Sequence, residues 1–574
     1  MGAVSRELLP CPMWMIRHVG EVSSCSAGLR HIAKAGSPGT ADCKYFLVVS
    51  AVLLLLLVTS ASLLPALEAA EVLGLFQSPG RSQWLLAETY LRALERRGHR
   101  VTAVTTYPSS QGGAAANWTE ILIPNPFNED GNLNVFEAAS TTLLDLAKEF
   151  LVFADKMCHG FLRDENVQKL HKSGKKFDVI ILENLFTECV HGYAHGLKAP
   201  VIVLSSFAGT DWMADMVGNP APYSYVPNPF LALGTHMSFI ERLQNTLVSI
   251  GGKIIRQFLY LPMLDSILQT YLKDPSLPSL SEIERQTSLL LINYHFTHGC
   301  PRPLVPNMVE VGGLHVRQPK KLPEDIQKFL DEATDGAIYF SMGSNLQSAH
   351  WPEEKRSAFL KVFSQLKQRV LWKWETDSMP GQPPNVKTGK WLPQSDILAH
   401  KNVRAFITHG GLLSTQEATA RGVPLVGVPV FGDQSLNMAQ AQRQGYAVTL
   451  AISNITEASL QWALNEVLTV PSYRENAQQL SRIFNDRPRK PLDEAVYWTE
   501  YVIRHQGAPH LRSAALDLAW YQYFLLDVVA ALLAVVLLVL FITGAALKAG
   551  LRLLKGTSGG SKAKRSSSKS TKRD

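Results

Sequence analysis

The sequence predicts an α/β protein of two halves, each built on an open parallel sheet, followed by one membrane-spanning helix. Three observations predict it. Short apolar runs alternate with helical periodicity after residue 71, and the same alternation starts again near Ala337. Twenty apolar or small residues without a charge then run from Val528 to Leu547. Short apolar strands that alternate with helices are typical of parallel sheets covered on both faces.

In the first half, Trp84–Arg97 has helical periodicity, and Gly98 suits the end of that helix. We expect an N-terminal domain over residues 71–315. Its predicted strands are Val72–Phe76, Val101–Thr105, Phe177–Leu182 and Pro200–Ser205.

The second half is predicted over residues 316–505, with a hinge near His315–Lys321. Two such halves place a cleft between the carboxyl ends of their sheets, where open α/β sheets bind ligands. The predicted strands are Ala337–Phe340, Val370–Trp374, Val403–Thr408 and Leu425–Val428, and the predicted helices are Glu353–Leu366 and Ser414–Arg421.

Between the halves, Phe239–Leu272 is a helical stretch rich in apolar residues. It has three interpretations: it covers the ligand cleft, it lies against a membrane, or it packs into the core.

Two apolar segments predict the topology. Tyr45–Leu57 follows Lys44 and precedes small residues, which is typical of a secretory signal peptide over residues 45–70. An uncleaved anchor is the alternative. Residues 1–44 form an N-terminal extension to which we assign no function.

The second apolar segment, Val528–Leu547, has the length needed to cross a bilayer. A juxtamembrane segment (506–527) with aromatic residues precedes it, and a basic tail (548–574) follows. The positive-inside rule places that tail in the cytosol, and a cleaved signal with a late span places the body in a lumen or outside the cell. The sequons at Asn117 and Asn454 fit that side. Lys569 and Lys572 partly resemble a dilysine retrieval signal, so we expect a single-pass type I protein of the endoplasmic reticulum membrane.

The composition argues against a nucleic-acid-binding protein. Apolar residues make up 46% of the chain and charged residues 18%, as in a globular protein with membrane segments. The net charge is +7, but the tail from Lys548 carries nine basic residues and one acidic residue, which leaves the rest at −1. The basic charge therefore belongs to the tail and not to the body.

The cysteines are Cys11, Cys25, Cys43, Cys158, Cys189 and Cys300. The three that follow the signal segment allow one disulfide and a free thiol, or three buried thiols, and we favour the buried thiols because cysteine is often a small core residue.

Two histidines near a cysteine are candidate metal ligands. His191 and His195 are four residues apart near Cys189, a spacing that suits a metal on one helix face. A partly exposed helix face is the preferred interpretation, and we expect neither a metal nor a cofactor. We expect His99 to be a surface turn residue.

The stretch from Trp391 to Asn437 carries the most informative motif, WLPQSDILAHKNVRAFITHGGLLSTQEATARGVPLVGVPVFGDQSLN. His409 and Gly411 lie where a strand gives way to a helix. Glycines there let the backbone approach an anion, and a helix start supplies free N–H groups. Ser414 adds a hydroxyl, and Glu417 suits ribose hydroxyls. As an alternative, Ser414 and Glu417 form a capping box.

The motif also begins and ends with residues suited to a nucleotide sugar. Trp391 offers a flat face on which a base can stack. Asp433 and Gln434 form a polar pair after an apolar strand and suit sugar hydroxyls.

As a whole, this string resembles the signature of the UDP-glycosyltransferase family, which includes the UDP-glucuronosyltransferases and the plant and invertebrate glucosyltransferases. The resemblance extends to FSMGS at Phe340–Ser344, to RGHRVTAVT at Arg97–Thr105, and to the span with its basic tail. It covers nearly the whole mature chain. It implies the GT-B fold, with an acceptor-binding N-terminal domain and a UDP-sugar-binding C-terminal domain.

The resemblance also implies roles for individual residues. Trp391 would stack on uracil, and Glu417 would bind ribose. Leu413 stands where many members have Asn, which removes one phosphate contact. Ser344, His409 and Ser414 would hold the diphosphate, and Asp433 and Gln434 the sugar. Gln394 and Gly411 are further donor-binding positions.

The N-terminal half departs from the family pattern at the catalytic base. The family has a His, oriented by an Asp, that takes the proton of the acceptor. Here Gln83 stands at the His position and Glu183 at the Asp position. An amide cannot take a proton, whereas general base catalysis typically contributes roughly 10²–10⁴-fold.

Three hypotheses remain open. The enzyme works without this base on acidic or nucleophilic acceptors, another group such as Glu183 serves, or the protein binds UDP-sugar without transfer and acts as a partner of active relatives. We favour an inverting transfer of a sugar, with glucose expected, from a UDP-sugar to a small lipophilic acceptor. The expected partners are the membrane and, through oligomers, other family members; the expected role is detoxification.

Overall fold

A computed structural model describes residues 69–78, 80–110, 112, 116–126, 143–344 and 346–557. The predicted signal segment up to Glu68, the first three cysteines and the two tail lysines lie outside the described residues. So does most of the predicted basic tail.

The first half contains β1 to β7 and α1 to α8. The strands are β1 Glu71–Phe76, β2 Arg100–Thr105, β3 Trp118–Leu122, β4 Val179–Glu183, β5 Val201–Ser205, β6 Leu289–Ile292 and β7 Met308–Glu310. The helices are α1 Arg81–Arg96, α2 Leu143–Arg163, α3 Glu165–Lys172, α4 Cys189–Gly196, α5 Asp211–Met216, α6 Phe239–Ile255, α7 Leu261–Leu272 and α8 Leu280–Glu284, with a π-helical segment at Arg256–Tyr260.

The second half contains the remaining strands and helices. The strands are β8 Ala337–Ser341, β9 Arg369–Lys373, β10 Val386–Gly389, β11 Val403–Thr408, β12 Leu425–Gly427 and β13 Ala447–Thr449. The helices are α9 Glu324–Asp331, α10 Glu353–Ser364, α11 Gln394–Leu398, α12 Leu412–Arg421, α13 Gln434–Arg443, α14 Glu457–Thr469, α15 Pro471–Asn485, α16 Pro491–Arg504, α17 Trp520–Tyr523 and α18 Leu526–Thr557. Short 3₁₀ turns occur at Ser348–His350, Ile452–Asn454, Pro509–Leu511 and Ala514–Asp517.

Each half is organised around one parallel sheet, which confirms the predicted fold class. Among the described residues, seven strands form the first sheet in the order β3-β2-β1-β4-β5-β6-β7, and six form the second in the order β10-β9-β8-β11-β12-β13. In both sheets the order of the strands reverses at the first strand, because β2 and β4 flank β1, and β9 and β11 flank β8. Ligands bind at such reversal points, so the loops after β1 and β4, and after β8 and β11, mark the candidate site.

The last helix of the predicted C-terminal half, α16, packs on the first sheet. Ala495, Val496 and Val502 are buried in the core that covers β1 and α1. Glu500 of α16 accepts hydrogen bonds from Arg97 at 2.9 and 3.1 Å. The predicted ranges 71–315 and 316–505 stay predictions, but this helix ties the end of the second range to the first sheet.

His99 was predicted at the surface, and this prediction is wrong. Its side chain is buried, its Nδ1 accepts a hydrogen bond from the Ala70 N–H, and its Nε2 lies 3.6 Å from Glu500. The returning helix α16 covers the turn that would otherwise be exposed.

The preference for three buried thiols is also wrong. Cys158 of α2 and Cys189 of α4 form a disulfide, and Cys300 is a buried free thiol. Phe161 of α2 also contacts Tyr193 of α4, with 5.2 Å between ring centroids, and the Cα atoms of the cysteine pair lie 5.9 Å apart, within bridging range. A disulfide is typical of a lumenal or extracellular compartment.

The stretch Phe239–Leu272 divides into two parts with different environments. Leu261, Leu264 and Leu268 of α7 are buried in the core below the first sheet, as the core-packing interpretation expects. Helix α6 instead leaves apolar side chains exposed, Leu247 at 63% for example.

Helix α18 is long and apolar enough to cross a membrane. The apolar stretch extends from Leu526 to Lys555, which is longer at both ends than the predicted Val528–Leu547. Of the two sequon residues, Asn117 is partly exposed in the turn before β3, and Asn454 is exposed.

Candidate active site

A cavity of about 1380 Å³ lies between the two halves. Ser82 and Leu85 of α1 line it on one side. On the other side, five predicted donor residues line it together: Ser344, Trp391, Gln394, Ser414 and Glu417.

The cavity wall is strongly basic. Only Glu417 and Asp493 are acidic among its described lining residues. The basic ones are Arg96, Arg317, Lys320, Lys373, Arg421, Arg487, Arg489 and Lys490. Clefts lined by one sign of charge concentrate ligands of the opposite sign, so this cavity suits an anion.

His409 joins the ends of β8 and β11. Its ring packs between Gly343 and Gly411, so closely that a Cβ on either glycine would lie 2.5 Å from a ring atom. Gly343 also has φ +79°, in the region that favours glycine. These two positions therefore require glycine to keep His409 in place.

The His409 imidazole is neutral at pH 7. Burial, with the Lys373 ammonium nearby, lowers its pKa to about 4. Its Nδ1 is buried and has no hydrogen-bond partner among the described residues. A neutral imidazole offers one N–H donor to an anion but no positive charge.

Helix α12 starts at Leu412, two residues before the predicted start. Gly410, with φ +83°, turns the chain, and Gly411 is the N-cap without a capping side chain. The first backbone N–H groups of α12 are thus available to a ligand at the positive end of the helix dipole. The capping-box alternative for Ser414 and Glu417 is wrong, because Ser414 is already the third residue of the helix.

Gln394 holds the two predicted ligand-binding side chains of α12. Its Nε2 donates to the Ser414 Oγ at 2.9 Å and to the Glu417 Oε2 at 2.6 Å. Burial raises the pKa of Glu417 to about 7, although Gln394 opposes the shift. The Ser414 hydroxyl accepts from Gln394 and so keeps its own proton to donate.

Trp391 is half exposed and is contacted by two cations. The Arg81 guanidinium carbon lies 4.3 Å from the centroid of the indole ring, and the Lys373 Nζ lies 6.0 Å from it. Arg81 is the first residue of α1, so this cation–π contact crosses the cleft. A flat ligand that stacked on the same face would displace the guanidinium.

Asp433 and Gln434 lie at the start of α13, next to the turn before α12. Asn437 joins the two loops, because its Nδ2 donates to the Asp433 Oδ2 at 2.9 Å and to the Gly410 carbonyl at 3.0 Å. Burial raises the pKa of Asp433 to about 6. The Gln434 Oε1 accepts from two backbone N–H groups, at 2.8 and 3.2 Å, which leaves its Nε2 to donate to a ligand.

Gln83 caps helix α1. Its Oε1 accepts from the Gly80 N–H at 3.1 Å, so the amide folds back onto the helix start. Glu183 lies at the end of β4, and no hydrogen bond joins it to Gln83 within the described part of the chain.

Glu183 is a buried carboxyl group held by two hydroxyls. Ser78 and Ser206 donate to its two oxygens, each at 2.7 Å. Burial raises the pKa of Glu183, and the two hydroxyls oppose the shift. The hydroxyls join the loops after β1, β4 and β5, so Glu183 organises this edge of the first sheet.

Four partly exposed aromatic rings of the first half were missed from the sequence. Phe150 and Phe186 stack at 4.1 Å between centroids, Trp212 and Phe230 stack at 6.4 Å, and Phe150 also contacts Phe230 at 5.6 Å. We call these four rings the aromatic cluster. They come from four separate segments, so no local periodicity indicates their contact.

The histidine pair does not share one exposed face. His191 is buried, which lowers its pKa to about 4, whereas His195 is partly exposed. The partly exposed interpretation is therefore wrong for His191. In the described ranges, no three His, Cys, Asp or Glu side chains are grouped to hold a metal.

Comparisons with known proteins agree with this architecture. The family model described as UDP-glucoronosyl and UDP-glucosyl transferase matches residues 56–559. UDP-glycosyltransferase UGT5 of Dactylopius coccus is 40% identical over 84% of this chain and 92% of its own length. UDP-glucuronosyltransferase 2C1 of Oryctolagus cuniculus is 34% identical over 80% of this chain and 94% of its own.

Solved structures show the same fold at low identity. The calicheamicin glycosyltransferase CalG4 aligns with a TM-score of 0.52 and 20% identity, over 76% of this chain and 99% of its own. The glycosyltransferase VinC, in complex with dTDP, aligns with a TM-score of 0.52 and 15% identity, over 76% of this chain and 100% of its own. With the family match over most of the chain, the protein belongs to the UDP-glucuronosyl and UDP-glucosyl transferase family and is a glycosyltransferase with a GT-B fold.

Proposed function

We propose that this enzyme transfers glucose from UDP-glucose to a small lipophilic acceptor, with inversion at the anomeric carbon. The acceptor oxygen forms a bond to that carbon while the bond to the diphosphate breaks, UDP leaves, and the proton of the acceptor passes to water. The observation that carries the proposal is the basic cavity with Trp391 and Glu417 beside the uncapped start of α12.

The donor would lie along the second half. Uracil stacks on Trp391 in place of the Arg81 guanidinium, and the ribose hydroxyls donate to Glu417. The diphosphate lies at the start of α12, where backbone N–H groups and the Ser414 hydroxyl donate to it. The further groups in this proposed site are Ser344, His409 and Gly411 at the diphosphate, and Asp433 and the Gln434 Nε2 at the sugar.

The aromatic cluster supports a lipophilic acceptor. Its rings are partly exposed, and Phe186 and Trp212 pack against the core that contains Leu182 of β4. Phe186 follows Glu183 by three residues and also contacts Trp212, with 6.4 Å between centroids. Aromatic rings favour flat, apolar ligands through stacking and burial.

Neither of the two described positions that correspond to the family's base and its partner offers a free base to the acceptor. The Gln83 amide cannot take a proton, and the two oxygens of Glu183 already accept from Ser78 and Ser206. We therefore favour acceptors that lose their proton readily, such as phenols and carboxylic acids. Losing a general base slows transfer by roughly 10²–10⁴-fold, which an acidic acceptor offsets.

We place the enzyme in the endoplasmic reticulum membrane, with a lumenal body and a cytosolic tail. Helix α18 supports a single span, and the Cys158–Cys189 disulfide supports an oxidising compartment.

The first test is transfer itself. Purified full-length protein in lipid, incubated with radiolabelled UDP-glucose and a panel of phenols, steroids and carboxylic acids, should give a labelled product that Asp433→Ala lacks. Acidic acceptors should react fastest. No product above that control would contradict the proposal.

Gln83 separates this function from that of a non-catalytic partner. Gln83→His should raise the rate on weakly acidic alcohols by up to roughly 10²–10⁴-fold and change the rate on phenols little. Gln83→Ala is the matched control, because it removes the same cap without adding a base. Activity in Gln83→His alone would favour a parent chain that binds UDP-sugar without transferring it.

Removing one ring of the aromatic cluster should weaken the binding of the acceptor and leave the binding of the donor unchanged. Trp212→Ala should raise the KM of an aromatic acceptor about fivefold, since such a ring contact contributes about 1 kcal/mol. The KM of UDP-glucose should not change. Trp462→Ala removes an exposed Trp of α14 and serves as the control. Equal effects of the two substitutions would contradict the assignment.

Glu417 predicts a pH dependence of donor binding. Its pKa is about 7, and only the ionised form accepts hydrogen bonds from both ribose hydroxyls. The dissociation constant of UDP-glucose, whose diphosphate diester does not titrate here, should therefore fall as the pH rises from 6 to 8. Glu417→Gln should bind weakly at every pH. A pH dependence that persists in Glu417→Gln would belong to another group, such as Asp433.

A further inference from the structure

Helix α6 carries a continuous row of exposed apolar side chains. They recur every three or four residues and continue into the π-helical segment, so they lie on one face. Each is between 45% and 72% exposed. We call this row the apolar stripe; it consists of Ile240, Leu243, Leu247, Ile250, Ile254 and Phe258.

The opposite face of α6 is polar and buried, the reverse of a water-soluble helix. Asn245 is fully buried, and its Nδ2 donates to the carbonyls of Tyr223 and Val226 at 2.8 and 2.9 Å. The Asn228 Nδ2 donates to the Ser249 Oγ at 3.1 Å. These hydrogen bonds hold the polar face against the body, so the apolar stripe cannot turn inward.

The apolar stripe lies near the segment that leads to the membrane span. Lys253 of α6 forms an ion pair with Asp215 of α5 at 2.7 Å. Just after α5, Gly218 packs so closely against Ser513 and Leu516 that an added Cβ would lie 3.1 Å from side-chain atoms of both. Those two residues precede α18 by about ten positions, so α5 connects α6 to the base of the span.

The residues between Leu516 and α18 suit a membrane surface. Trp520 is 70% exposed and Phe524 is 64% exposed. Large aromatic side chains concentrate at the boundary between headgroups and acyl chains. The same boundary therefore passes close to α6.

We propose that helix α6 lies flat on the bilayer that α18 crosses, with the apolar stripe inserted at the boundary between headgroups and acyl chains. An amphipathic helix binds a membrane in this way when its apolar face has no protein partner. The span keeps the bilayer beside the body at all times. A second copy of the chain would have to be recruited from solution or by diffusion in the membrane, whereas the bilayer is already present.

The proposal places the acceptor side of the enzyme at the membrane. Tyr260 ends the π-helical segment after Phe258 and is buried against Phe186 of the aromatic cluster, with 6.4 Å between ring centroids. An acceptor dissolved in the bilayer would thus be one helix away from the cluster. This consequence rests on the proposed function, whereas the membrane surface itself does not.

Spin labels test the surface in the full-length chain reconstituted in phospholipid nanodiscs. Single cysteines replace Ile240, Leu247 or Ile254, which follow one another every seven residues, about 10 Å along the helix. The matched control is Trp462→Cys, an exposed apolar position of α14. Cys300 is buried and Cys158–Cys189 is bonded, so Cys11, Cys25 and Cys43 are the remaining cysteines to change to Ser.

We expect each of the three labels on α6 to collide more often with oxygen, which partitions into acyl chains, than with a water-soluble nickel chelate. The label at residue 462 should show the opposite. Three labels that behave like the control would overturn the proposal. So would strong spin–spin coupling between copies, which would indicate a second copy of the chain on the apolar stripe.

The unsubstituted chain provides a second measurement that does not depend on how the variants fold. A phospholipid with a photoactivatable carbene precursor in its acyl chain should label peptides that contain residues 239–258 as well as the span. Labelling confined to the span would overturn the proposal.

Discussion

The packing of one imidazole between two glycines holds the donor side of this enzyme together. His409 fills the space between Gly343 and Gly411, and either glycine with a Cβ would collide with the ring at 2.5 Å. The contact sets the loops after β8 and β11 side by side, and Gly411, which has no side chain, leaves the start of α12 uncapped. Gln394 then orients Ser414 and Glu417 around that start. The proposed nucleotide site depends on this arrangement more than on any single charged residue.

Most of the fold and much of the lining of the candidate site could be predicted from the sequence, because both rest on local patterns. Buried parallel strands are short apolar runs, as at Val403–Thr408, and the strand–Gly–helix turn after it is local as well. The five predicted residues that line the cavity lie on these turns or on adjoining segments, so their order in the chain already places them at the carboxyl edge of the sheet. A helix long and apolar enough to cross a membrane was also predicted from composition, although α18 is longer than predicted.

What could not be predicted depends on contacts between distant segments. His99 follows a helix end and was expected at the surface, yet α16 returns from residue 491 onward to cover it. Cys158 and Cys189 are adjacent only because α2 and α4 pack together. The aromatic cluster comes from four separate segments. Gln83 was read from the sequence only as the loss of a base. Its amide also caps α1, a local contact that the sequence analysis did not predict. The first half is therefore less predictable than the second half.

The most direct test of this account is the affinity of the purified full-length protein for UDP, measured by calorimetry with two glycine variants. Gly411→Ala places a methyl group against the His409 ring without straining the backbone, because the φ of Gly411 is −61°. Gly251→Ala meets open space and is the control. The account predicts that the parent and Gly251→Ala bind UDP alike and that Gly411→Ala binds at least about tenfold more weakly, a loss of about 1.4 kcal/mol. A parent that does not bind UDP, or an unchanged affinity in Gly411→Ala, would contradict it.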